Sequence, residues 1–145
     1  MKFEKSCGAI IIKRNSGKIE TLLIQMLGGH WSYPKGHVED NETEVETALR
    51  EIKEETNLDV IIDTRFREIT TYSPKPGVIK DVIYFLAFAK TLDVKVQEEE
   101  VANYEWVDIN DELLDNEKFA GNYNIPHIIR QIKVYLKNGT SIDKY

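Results

Sequence analysis

Apolar residues recur along this chain with two different periods. "CGAIIIKR" (7–14) and "IETLLIQML" (19–27) are aliphatic and β-branched runs separated by the turn-forming "NSGK", which predicts two strands joined as a hairpin. In "ETEVETALREIKEETN" (42–57), Val45, Ala48, Leu49, Ile52 and Thr56 fall at helical spacing, so an amphipathic helix is expected, its buried stripe centred near Leu49 and Thr56. Thr43 followed by Glu46 makes a capping box that starts this helix near residue 43. Asn57 suits the left-handed position that stops it.

Downstream, "LDVIID" (58–63), "FREITTYS" (66–73) and "KDVIYFLAFAK" (80–90) read as three strands, with "PKPG" a loop between the last two and "EWVDI" (105–109) a further short strand. "IPHIIRQIKVYLKNG" (125–139) predicts a C-terminal helix with Pro126 in its first turn and Gly139 past its end. Strands and helices interleave, which places the fold among layered α/β or α+β architectures. No repeat or linker interrupts the 145 residues, of which 41% are hydrophobic, and one domain over 1–145 is expected.

Charge removes some functions. Nineteen basic against twenty-five acidic residues give a net charge of -6, which argues against a broad basic face for nucleic acid. An anionic substrate then needs local lysines or a metal. The single cysteine, Cys7, excludes an intrachain disulfide and sits in an apolar run that predicts a buried thiol. The apolar run after the first residues is too short and too soon charged for a signal peptide or membrane span, leaving the cytoplasm as the expected location.

The acidic helix carries the chemistry. Stepping about 100° per residue from Val45, Glu51, Glu54 and Glu55 fall within one arc, away from the apolar stripe. They lie in the last turns, where the macrodipole disfavours anions by about 0.3–1 kcal/mol each and the Glu51/Glu55 spacing adds repulsion. A solvated face is one reading of such a cluster; a bound cation that neutralises it is the other. Oxygen donors without a nearby cysteine suit a hard ion, Mg²⁺ or Mn²⁺. Beside lysines and a glycine loop, such an ion suits phosphate chemistry. Arg50 adjoins the patch and can hold a carboxylate in a charge-assisted fork or form an ordinary surface pair.

Residues 36–58, "GHVEDNETEVETALREIKEETNL", resemble the Nudix box. Gly36, Glu42, Arg50, Glu51, Ile52, Glu54, Glu55 and Leu58 stand in register, and Asn57 replaces the second box glycine. Asparagine is the next-best left-handed cap, so a small stability cost and no loss of chemistry are expected. The resemblance implies a Nudix-type α/β/α sandwich with a mixed central sheet, the box forming a loop-helix-loop. It also implies an enzyme that cleaves a nucleoside diphosphate linked to another group, using Mg²⁺. By the same likeness, the Gly36 carbonyl and the carboxylates of Glu51, Glu54 and Glu55 ligate metal, and Arg50 orients a glutamate.

Beyond the box, "WSYPKGHVE", "IKDVIYFLAF" and "EEEVANYEWV" are similar in order and approximate spacing to the asymmetrical diadenosine tetraphosphate hydrolases. That likeness implies that Lys80 contacts phosphate, Tyr84 stacks a nucleobase, and Glu100, six residues before Trp106, is a further metal ligand or base, although Glu98 and Glu99 adjoin it. Lys35 and His37 would flank the phosphates. Trp31 and Tyr33 either pack beneath the loop or touch a base, and Tyr104 either lines the pocket or packs under it. His30 and His127 carry no positional signal. The implied substrate is a small nucleotide, a dinucleoside polyphosphate split to ATP and AMP. Nucleoside triphosphates, capped RNA and sugar nucleotides are the alternatives, RNA being weakened by the lack of a long basic stretch. A non-catalytic nucleotide-binding module is disfavoured by the complete set of box carboxylates.

Overall fold

The computed structural model describes residues 1–111 and 124–138. Its strands are β1 (Lys2–Asn15), β2 (Lys18–Met26), β3 (Trp31–Ser32), β4 (Lys35–His37), β5 (Val60–Tyr72), β6 (Val78–Ala89) and β7 (Val101–Asp108). The helices are α1 (Glu44–Thr56) and α2 (Asn124–Lys137). Gly139 lies outside the described residues. No helix among the described residues is long and apolar enough to cross a membrane.

The sheet is mixed. β1 and β6 run parallel from Lys2↔Val78 to Ile12↔Phe88, while every other pairing among the described residues is antiparallel. The other edge of β1 is divided: Asn15 to Ile12 pair with β2, and Ser6 to Gly8 pair with β4. Strand alternation sends Ile10, Ile12, Tyr84 and Leu86 to one face beneath α2, where Ile125, Ile128, Ile129 and Ile132 cover them. Cys7, Ala9, Ile11, Ile83 and Phe85 face the opposite layer, beneath Ala48 and Ile52 of α1. The result is the expected α/β/α sandwich.

Several local expectations change. "LDVIID" and "FREITTYS" belong to one strand, β5, whose register against β6 shifts between Asp63 and Arg67; a bulge absorbs the polar residues between them. The stretch around Lys35 forms a short strand, β4, paired with β1. In α1 the buried residues are Thr47, Ala48, Ile52, Glu55 and Thr56, whereas Leu49 is 40% exposed. The helix is rotated from its apolar stripe toward Glu55, because that carboxylate has a partner to reach. The Thr43/Glu46 capping box forms, and Asn57 takes φ 68° as the left-handed cap. Its side-chain amide also donates to the Asp93 carbonyl at 3.1 Å, a tie that glycine could not make.

Candidate active site

The site begins with an approach of two backbones. At Gly8 an added Cβ would collide with the Pro34 carbonyl oxygen and with Lys35, so only glycine lets β4 lie this close to β1. The Pro34 carbonyl accepts from the Ala9 amide at 3.3 Å. This seats the loop so that the Lys35 amide donates to Glu55 Oε1 at 2.9 Å, joining it to the C-terminal half of α1. At the next residue the carboxyl group of Glu51 fills the space where a Gly36 side chain would project.

Arg50 organises the acidic side. Its Nε and Nη2 donate to Glu42 Oε2 and Oε1 at 2.6 and 2.9 Å, the fork that planar guanidinium geometry favours. Nη1 donates to Glu51 Oε1 at 2.7 Å and to Glu54 Oε2 at 3.3 Å, and Nη2 also reaches the His37 carbonyl at 2.9 Å. Glu42 is fixed further by the Glu39 amide at 3.0 Å and the Thr47 hydroxyl at 2.9 Å. Hydrogen bonding from Arg50 above all holds the Glu42 carboxyl down at about 2.

A cavity of about 330 Å³ opens beside this network. Gly36, Glu51, Glu54, Glu55 and Glu100 contribute to its lining, and Lys35, His37 and Lys80 bring basic groups into the same space. Burial, then the charge of Glu51, pushes the Glu55 carboxyl up to about 8, against the pull of the Lys35 amide and ammonium. Burial also raises Glu51, with Arg50 opposing. Lys35 is lowered by burial and then by repulsion from Lys80, and Lys80 by its own burial. A second cavity, of about 240 Å³, lies near the far ends of β1 and β6 by Lys13, Arg14, Lys90 and Leu92; among the described residues no carboxylate lines it.

The donors suit a hard divalent ion in kind: they are oxygens, and Glu51 and Glu55 strain against their own charge. Among the described residues, however, no three acidic, histidine or cysteine groups converge as a ready metal cluster. Arg50 Nη1 instead donates to both Glu51 and Glu54. The residues fit a cation; the arrangement described is the one in which arginine balances two of them.

Most residues singled out by sequence are brought together here: Lys35, Gly36, His37, Glu51, Glu54, Glu55, Lys80 and Glu100 all border the cavity. Of the glutamates at 98–100, Glu100 is the one on its lining. His37 is exposed, its Nε2 3.0 Å from Glu4 Oε2. Tyr84 requires a correction. Its ring is 1% exposed and stands edge-on to Tyr33, with centroids 5.6 Å apart, so it offers no open face to a nucleobase. Its parity on β6 points it under α2. Trp31 and Tyr33 are buried, and the Tyr33 hydroxyl donates to the Ile125 carbonyl at 2.9 Å. Both pack.

Tyr104 is exposed on β7. An exposed ring beside Lys80 is Tyr72, directly across the β5/β6 ladder from it and 42% exposed. Sequence reading passed over Tyr72, Gly8 and Ser6. The first would have needed the strand register, and the other two a long-range neighbour.

The profile described as "NUDIX domain" matches residues 3–127. The chain is 36% identical over 120 residues to the asymmetrical bis(5'-nucleosyl)-tetraphosphatase of Rattus norvegicus, covering 74% of this chain and 80% of the relative. It is 33% identical over 137 residues to the Caenorhabditis elegans protein of the same name, covering 91% and 96%. A crystal structure of a C. elegans Ap4A hydrolase binary complex superimposes with a TM-score of 0.81 at 32% identity, over 93% of this chain and 98% of that one.

Proposed function

Because this chain belongs to the Nudix hydrolase family, we propose that it hydrolyses dinucleoside polyphosphates such as diadenosine tetraphosphate to ATP and AMP, with Mg²⁺ or Mn²⁺. The observation that carries this reading is one cavity bordered by Glu51, Glu54, Glu55 and Glu100 together with Lys35 and Lys80. Two relatives matched over most of their length bear the tetraphosphatase name, which supports the choice of substrate within the family.

The Gly36 carbonyl, Glu51, Glu54, Glu55 and Glu100 would hold the metal, which when bound withdraws charge from phosphoryl oxygens and acidifies a water. Lys35 and Lys80 bind the phosphate chain and orient it, and orientation alone supplies a large share of such a barrier. Arg50 and Glu42 hold Glu51 in place. A carboxylate of the acidic wall takes the proton of the attacking water. Tyr72 offers a ring beside Lys80 on which a base can stack, the role that Tyr84 is too buried to fill.

Initial rates on diadenosine tetraphosphate, nucleoside triphosphates, ADP-ribose and 5'-triphosphate RNA test the substrate choice. The dinucleoside tetraphosphate should give the highest kcat/KM. Dominance by ADP-ribose or the triphosphates would overturn it.

A further inference from the structure

Ser6 lies on β1 between two site elements, opposite His37 of β4 on one side and Val82 of β6 on the other. The residue is fully buried, it borders the catalytic cavity, and its hydroxyl has no hydrogen-bond partner among the described residues. Buried hydroxyls are normally paired, and leaving one unpaired costs about 1–3 kcal/mol. The Thr21 and Thr70 hydroxyls are also buried without a partner among the described residues, but neither lines this cavity. An apolar residue of the same size would fill the Ser6 position without that cost.

The surroundings indicate what is missing. Lys80 stands across from Glu4 on the parallel ladder, two residues before Ser6, and Lys35 stands across from Gly8, two residues after it. The Lys35 side chain starts directly over Gly8. Two ammonium groups thus reach the cavity from either side of an unspent neutral donor. That combination suits an anion with several oxygens better than a single water, because one phosphoryl group can accept from all three at once.

We propose that the Ser6 hydroxyl is a substrate-binding donor that, with Lys35 and Lys80, holds a non-bridging oxygen of the phosphate chain. The inference rests on the reading of this cavity as a polyphosphate site and adds a residue to it. In the free protein the hydroxyl is buried, so its engagement by a phosphate requires a side chain of the cavity wall to move.

Binding of inorganic tripolyphosphate, measured by calorimetry on the wild type and Ser6→Ala, tests this whichever nucleotide the enzyme uses. Affinity should fall about 10-fold in the variant, and KM for the best substrate should rise by a similar factor while kcat changes less than about two-fold. The melting temperature should not fall, since the folded protein loses no hydrogen bond. A wild type that binds no tripolyphosphate, equal affinity in the two proteins, or a weaker fold in Ser6→Ala would overturn the assignment. Equal affinity beside normal Mg²⁺-dependent turnover would remove Ser6 and leave the catalytic reading standing. Weakened binding without turnover of dinucleoside polyphosphates would do the reverse.

Discussion

The carboxyl group of Glu51 rests against the α-carbon of Gly36, in the volume that any side chain at position 36 would occupy. Box glycine and box glutamate are therefore one steric unit, fifteen residues apart in sequence. Gly36→Ala must displace either the loop or a carboxylate that Arg50 also holds. Displacement of about 1 Å at a reacting centre costs on the order of 10²-fold, so kcat/KM should fall by about that factor with a much smaller change in melting temperature. Steady-state kinetics beside thermal melting separates the two.

Arg50→Lys keeps the charge and loses the fork. One ammonium cannot span Glu42, Glu51, Glu54 and the His37 carbonyl, all of which Arg50 reaches within 3.3 Å. Activity should drop about 10- to 100-fold, the range seen when a partner that orients metal ligands is lost. The Mg²⁺ concentration at half-maximal rate should rise in parallel. A variant as active as wild type at every Mg²⁺ concentration would show that the clamp is ornamental.

The two tyrosines should separate cleanly. Tyr84→Ala empties a site in the core and should destabilise the protein by about 3–5 kcal/mol in denaturant titration. Tyr72→Ala removes an exposed ring: stability should change by less than about 0.5 kcal/mol, while KM for a nucleotide substrate rises several-fold. Tripolyphosphate, which has no base, should bind Tyr72→Ala as well as wild type.

Glu44 ties the start of α1 to the sheet, through Arg67 Nε and Nη2 at 2.8 Å each and a contact with Lys5 Nζ at 2.6 Å. Hydrogen bonding from Arg67, then from Lys5, holds its carboxyl at about 2, below its ordinary 4.5, despite the opposing effect of burial. A depressed carboxylate stabilises the fold above its unfolded value, and that contribution disappears as pH falls from about 4.5 toward 2. Glu44→Gln should therefore cost about 1 kcal/mol at pH 7, and its stability should converge on wild type near pH 2. Chemical denaturation at the two pH values checks the sign.

The box was legible because fixed offsets on a helix translate directly into one face, and because its caps, Thr43 and Asn57, have local causes. The exact face was not. Counting apolar residues points Leu49 inward, whereas the helix buries Glu55, whose partner is a backbone amide twenty residues upstream. Periodicity cannot see such a bond. Alternation along β6 likewise gives the parity of Tyr84 without revealing that α2 covers it, and Tyr72 meets Lys80 only through a β5/β6 register that shifts at Asp63/Arg67. Gly8 reads as one more small residue in an apolar strand until Pro34 is placed against it.

In the proposed function, the acidic face of α1 drives hydrolysis of a dinucleoside polyphosphate. The most direct measurement is product analysis of diadenosine tetraphosphate with wild type and Glu54→Gln, each with Mg²⁺ and with chelator. Wild type should release ATP and AMP in equal amounts only with Mg²⁺, and Glu54→Gln should be slower by at least about 10²-fold. ADP as the sole product, turnover in chelator, or an undiminished Glu54→Gln rate would contradict the account.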